Sequence, residues 1–132
     1  MEIICNQNEL NNAVQLVSKA VASRPTHPIL ANILWTADLG TNKISLTGFD
    51  LNLGIQTSFD GTVKNSGAIT IPSKLLSEIV NKLPSETPVL LKVDDNQIKL
   101  KDNCIFIKFE NLDMFSIPTL YHKIIKLVFK NI

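Results

Sequence analysis

A chain of 132 residues, 45% of them hydrophobic, can bury one core and has no room for two. A formal net charge of +1 excludes a polybasic arm or an acidic solvating segment as the dominant character, so any anion binding must come from local placement of charge. Cys5 and Cys104 each sit in an apolar run without a second cysteine or a histidine at ligand spacing, which argues against a zinc or redox motif and predicts buried, reduced thiols.

Glu2–Cys5 reads as a short first strand. From Gln7 to Ala22 the apolar residues Leu10, Ala13, Val14, Val17, Ala20 and Val21 recur at helical spacing, with Asn11, Asn12, Gln15, Ser18 and Lys19 on other faces, which predicts an amphipathic helix. Asn6 and Glu9 form a variant of the capping box at its start, and Pro25 ends it by disfavouring helical geometry at Arg24. Strands are predicted over Ile29–Ala37, Lys43–Phe49 and Leu51–Phe59, with Gly40-Thr41-Asn42 and Asp60-Gly61 as hairpin turns. Ala68–Ile71 is a further strand. A second helix spans Ser73 to Leu83, its apolar positions being Leu75, Leu76, Ile79, Val80 and Leu83, and Pro84 stops it. Strands over Val89–Val93, Gln97–Lys101 and Cys104–Phe109 complete the chain, the first two joined through Asp94-Asp95-Asn96.

In order, the elements read strand, helix and three strands, twice over. The helices carry the repeat at residue level, since Leu10-x-x-Ala13-Val14-x-x-Val17 and Leu76-x-x-Ile79-Val80-x-x-Leu83 superpose at an offset of 66. Two unrelated amphipathic helices with similar stripes are the alternative. The matching element order favours an α+β domain with a tandem pseudo-two-fold β-α-β-β-β repeat and two adjacent helices packed on antiparallel sheets.

Charge partitions unevenly. The two helical segments, with Lys19, Arg24, Lys74 and Lys82 against Glu9 and Glu78, sum to +2; the remaining residues up to Leu120 sum to −4, and residues 121–132 to +3. A mildly positive, Asn- and Gln-rich helix surface beside more acidic strands suits loose, sequence-independent contact with a polyanion. Solvated lysines that serve solubility alone are the competing reading.

Arg24-Pro25-Thr26-His27-Pro28-Ile29-Leu30-Ala31-Asn32-Ile33-Leu34 closely resembles the RPTxPILxNxL signature of the N-terminal domain of the bacterial DNA polymerase III beta subunit, the DNA sliding clamp. Leu46-Thr47-Gly48-Phe49-Asp50-Leu51 is similar to that family's LTxTDLE segment. Ile71-Pro72-Ser73-Lys74-Leu75-Leu76 with Leu83-Pro84 resembles its second-helix pattern, and Ile117-Pro118-Thr119-Leu120 resembles a degraded form of its closing F-P-x-L. The resemblance implies a DNA-clamp domain over residues 1–120, one of three per chain in a two-chain ring whose helices face duplex DNA and whose sheets face outward. It further implies a non-catalytic processivity factor that tethers the replicative polymerase. By carry-over, Arg24 matches a position that contacts DNA, its alternative being a loop arginine packed at the domain edge. Lys19, Lys74, Lys82 and Gln15 are weaker candidates for inner-face contacts. His27 reads as a spacer.

The resemblance ends near Phe109. Residues 110–115 conform poorly, and residues 121–132 form a divergent basic and apolar tail, read as loosely packed and without evolved function. The second and third clamp domains are missing, so this reads as a truncated clamp whose polymerase and clamp-loader contacts lie in absent domains. One edge strand should then lack its ring partner. The expected partners are double-stranded DNA, held weakly and non-specifically, and other clamp domains or clamp subunits. No cofactor, metal or membrane partner is expected. No run approaches the ~18 apolar residues of a membrane span, no charged and apolar leader opens the chain and no N-x-[ST] acceptor occurs, so the expectation is a cytoplasmic protein.

Catalytic chemistry finds no purchase in the sequence: there is no nucleophile and base at readable spacing, no Gly-rich phosphate loop and no acidic cluster for two-metal catalysis. Asp50 reads as a turn acid and Asp94-Asp95-Asn96 as a hairpin turn, not a calcium loop. The alternative function is a stand-alone truncated paralogue, an interaction module that engages an intact clamp through its open edge. A non-functional fragment is the remaining possibility.

Overall fold

The computed structural model describes residues 1–21, 28–50, 53–94, 97–102 and 106–110, with residues 28, 29 and 106–110 described through their backbone. Strand β1 (Glu2–Asn6) leads into helix α1 (Gln7–Ser18). A single 3-10 turn, Pro28–Ala31, precedes β2 (Asn32–Asp38), β3 (Lys43–Phe49) and β4 (Gly54–Asp60). Two further strands, β5 (Thr62–Asn65) and β6 (Gly67–Pro72), lead to helix α2 (Ser73–Lys82), and β7 (Pro88–Asp94), β8 (Gln97–Lys101) and β9 (Phe106–Glu110) follow.

The strands form two antiparallel sheets, ordered β5-β1-β7-β8-β9 and β4-β3-β2-β6. Each half of the repeat lends its first strand to the other half: β1 pairs with β7, and β6 pairs with β2. The pseudo-two-fold is therefore an exchange of strands, not two units set side by side. Its offset is 66 at the helix starts, Gln7 and Ser73, but 56 at the following strands, Asn32 and Pro88. Two of the ten extra residues lengthen α1 and the other eight lie between helix and strand in the first half, the stretch that carries Arg24.

Both sheets turn one face to a common core that includes Ile3, Val89 and Leu91 from one sheet, Ile33, Trp35 and Leu46 from the other, and Leu10, Val14, Val17, Leu76 and Val80 from the helices. Alternation along each strand produces this sorting, because a period of two sends every second residue inward. Burial of these side chains is the main favourable term in the fold. Gln7 and Ser73 are buried as well, and they hold the helices together.

Several sequence expectations need correction. The first helix was expected to reach Ala22; it ends at Ser18, and Lys19, Ala20 and Val21 continue with bonds from their amides to the carbonyls of Leu16, Val17 and Ser18. Those i to i−3 bonds are a tightened last turn. Ala22 itself lies outside the described residues. The strand expected from Ile29 begins at Asn32, because the residues after Pro28 close a 3-10 turn first. Asp60-Gly61 is not a hairpin: it is a corner where the chain leaves one sheet at β4 and enters the other at β5, a strand the sequence reading missed. The acidic excess of the strand region also belongs elsewhere than expected. Asp38, Asp60 and Asp94 end strands, and Asp50 and Glu86 sit between elements, so most of the described acids outside the helices lie at strand ends and turns.

Candidate nucleic-acid interface

Helix α1 starts where Asn6, in extended geometry, accepts a hydrogen bond from the Asn8 amide at 2.9 Å. That bond satisfies one of the orphan amides of the first turn, as expected from the sequence. Among the described residues the Glu9 carboxylate makes no return bond, so the cap is a single Asn cap. Helix α2 starts at Pro72, which supplies no side-chain cap.

Three polar contacts set the two helices against each other. Gln7 Nε2 donates to the Val80 carbonyl at 2.8 Å, Gln15 Nε2 to Ser77 Oγ at 3.0 Å, and Ser73 Oγ to Ser18 Oγ at 3.1 Å. The α2 partner number falls as the α1 number rises, so the helices run antiparallel. Ser18 Oγ in turn donates to the Val14 carbonyl at 2.6 Å. Val14 and Val80 are equivalent under the repeat, as are Gln7 and Ser73. Each helix thus begins with a buried polar side chain reaching toward the end of the other.

Antiparallel packing decides where the candidate residues lie. Lys19 follows Ser18 and Lys74 follows Ser73, so the contact between the two serines brings both lysines to one end of the pair. Lys82 is at the opposite end, near the start of α1. All three are exposed, as are Asn12, Gln15, Leu16, Leu75 and Asn81 of the same two helices, with Glu9 and Glu78 as their exposed acids. The Gln15 amide nitrogen donates both to Ser77 and to Asn11 Oδ1, at 3.0 and 3.3 Å, so Gln15 serves here as a bridge between helices. Arg24 lies outside the described residues. What is described is the footing of its loop: Ala20 is fully buried on one side and Leu30 is buried on the other.

The C-terminal end of α1 is seated by a residue whose importance the sequence did not announce. Gly48 of β3 faces the carbonyl of Val17, and a Cβ at position 48 would lie 2.2 Å from that oxygen. Only glycine allows this approach, which fixes the end of the helix that carries Lys19. A glycine inside a strand pattern was the available signal.

Burial raises the Cys5 thiol to about 12, with the nearby Glu9 charge adding to the effect, so it carries almost no thiolate at neutral pH. Cys104 lies outside the described residues. Asp50 is a turn acid, accepting from the Leu53 amide at 2.7 Å while its own amide donates to the Leu53 carbonyl. A crevice of about 340 Å³ is lined by Glu9, Asp60 and Glu86 with Cys5, Asn6 and Thr62. Among the described residues no three potential ligands converge on a metal position, and no helix is long and apolar enough to cross a membrane.

Known proteins share both the sequence and the fold. The family described as DNA polymerase III beta subunit, N-terminal domain, matches residues 1–125. The beta sliding clamp of Synechococcus elongatus is 58% identical over 95 residues, covering 72% of this chain and 25% of the relative. That of Synechocystis sp. is 51% identical over 94 residues, 71% of this chain and 24% of the relative. Among solved structures, a DNA polymerase III subunit beta sliding clamp from Bartonella birtlesii bound to griselimycin superposes with a TM-score of 0.78 at 31% identity, over 85% of this chain and 30% of that one. A putative DNA polymerase III beta subunit from Eubacterium rectale gives 0.77 at 35% identity, with the same coverage. This chain therefore spans about a quarter of the length of the curated relatives it matches. With the strand exchange, the antiparallel helix pair and these likenesses together, the chain belongs to the DNA polymerase III beta subunit family, in the region of its N-terminal domain.

Proposed function

We propose that the α1–α2 surface is the DNA-facing lining of a sliding clamp, over which duplex DNA passes without being read, and that the domain acts with other clamp domains to tether the replicative polymerase. The observation that carries this reading is the antiparallel helix pair with an amide-rich middle and lysines at its ends, in a chain of the clamp family. Lys19 and Lys74 contact phosphates at one end of the pair and Lys82 at the other, and Arg24 adds a fourth basic contact. Gln15 holds the helices in register between the lysine-bearing ends. Contacts to phosphates alone position a duplex without reading its bases, so sequence is not discriminated. The domain is non-catalytic, and polymerase and clamp-loader contacts belong to regions outside this chain.

Fluorescence anisotropy of a labelled duplex across a salt series tests the reading. Four basic groups predict a log-log salt slope of about −3 to −4, becoming shallower by about 0.9 for each of Arg24→Ala, Lys19→Ala, Lys74→Ala and Lys82→Ala. Binding that ignores salt, or slopes unchanged in all four variants, would overturn it.

A second reading is favoured by the open sheet edge at β4, seven residues paired on one side with β3 and on the other with no described strand. Such an edge can add a strand from another chain. In this reading the domain is an interaction module that engages an intact clamp.

A further inference from the structure

The outward face of the five-stranded sheet has a chemistry that DNA lining leaves unused. Ile3, Cys5, Val89, Leu91, Ile98 and Leu100 turn to the core, so the alternate residues of β1, β7 and β8 point outward. Register sorts those outward residues into two neighbouring rows that cross the strands. In one row Ile4 stands opposite Leu90, and Leu90 opposite Lys101. In the other, Glu2 stands opposite Lys92, Lys92 opposite Lys99, and Lys99 opposite position 108, also a lysine. Lys64 of β5 is exposed on the same face, since its neighbour Val63 is buried.

Like charges set directly opposite on adjacent strands oppose folding, so the lysine row is not there to hold the sheet together. Asp94 reaches Lys99 at 3.6 Å, a loose and exposed contact, and Glu2 stands at the β1 end of the row. Lys64, Lys92 and Lys101 have no salt-bridge partner among the described residues. Beside the row, Ile4, Pro88 and Leu90, with Lys101 and Asp102, line a shallow furrow of about 200 Å³. The other sheet is built differently: its outer face pairs Ser45 with Ser58, Gln56 with Thr47 and Asn32 with Thr70, hydroxyls and amides that already satisfy one another.

We infer that this face of the five-stranded sheet docks an acidic peptide segment of a partner protein. An apolar side chain of that segment seats between Ile4 and Leu90, and flanking carboxylates meet Lys92, Lys99 and Lys101. Charge complementarity selects an anion, and the furrow selects among anions. A nucleic-acid strand would satisfy the ammonium groups but leave Ile4 and Leu90 wet, whereas a peptide with apolar residues among its acids buries both. The inference stands apart from the helix surface and does not depend on duplex binding there.

The test uses the full chain and a short fluorescein-labelled peptide with aspartates and glutamates around a central Leu-Phe pair, titrated by anisotropy. Saturable binding is expected, weakened about tenfold in the Lys92→Glu/Lys101→Glu double variant and about fivefold when the probe's Leu-Phe pair becomes Ser-Ser. The milder Lys92→Gln/Lys101→Gln variant should fall between wild type and charge reversal, and emission from the buried Trp35 reports that each variant is folded. Three results would each overturn the inference: no saturable binding, binding indifferent to the loss of the Leu-Phe pair, or an oligothymidylate strand of equal charge binding this face as tightly as the peptide.

Discussion

Gly48 and Cys5 show how single residues hold the helix surface in place. At Gly48, β3 approaches α1 so closely that a methyl group would collide with the Val17 carbonyl, a backbone atom that cannot swing aside. Gly48→Ala must lift the end of α1 from the sheet, at a cost of about 3 kcal/mol, readable as a lower urea midpoint of Trp35 emission. An unchanged midpoint would mean that the approach is not tight. Cys5 gives a pH signature. Its pKa is raised from 9.0 to about 12 on folding, so between those values the unfolded chain releases a proton that the folded chain keeps. Stability from this group is intact below pH 9 and lost as pH rises toward 12. In a Cys104→Ala background, Cys5→Ala should therefore lose less stability than its parent over that window, measured by urea titration at several pH values. Parallel losses in both proteins would show that the thiol is not the source.

At the scale of elements, period carried further than punctuation. The apolar stripes of α1 and α2 were legible because each helix buries one face, and β8 was legible to its ends because alternation runs unbroken from Gln97 to Lys101, as was β3, which alternates from Lys43 to Leu46. Strand β5 was not legible. Thr62–Asn65 buries only Val63, and what makes it a strand is its pairing with β1, some sixty residues away in sequence. Asp-Gly reads as a hairpin turn whether the flanking strands pair or part, so the corner at Asp60-Gly61 had no local signal to distinguish it. The exchange of β1 and β6 was hidden for the same reason: element order is a property of the sequence, and sheet order is not. The β4 edge belongs to this scale too. If it serves as a docking strand, sedimentation of the chain with an intact clamp should reveal a complex at low micromolar concentration. Its absence at higher concentration would remove that second reading.

Taken as a whole molecule, the domain separates its surfaces by chemistry. The helices present amides with lysines at the ends, one sheet presents mutually bonded hydroxyls and amides, the other presents lysines around an apolar furrow, and most acids gather at strand ends and turns. The net charge of +1 conceals this arrangement, because sums over sequence segments cannot say which way a strand residue points. The segment totals assigned to the sheet faces an acidity that strand ends and turns mostly carry. Of the candidate contacts, Lys19 and Lys74 were brought together by antiparallel packing that no local pattern announced, whereas Lys82 was set apart from them. Amide chemical-shift mapping of the full chain with a short duplex tests the central claim most directly, since it reads every surface at once. Perturbations are expected to concentrate on Asn12, Gln15, Leu16, Lys19, Lys74, Leu75, Glu78 and Lys82 and to fade with added salt; perturbations centred instead on Lys92, Lys99 and Lys101 would contradict the assignment of the helix pair as the DNA-facing surface.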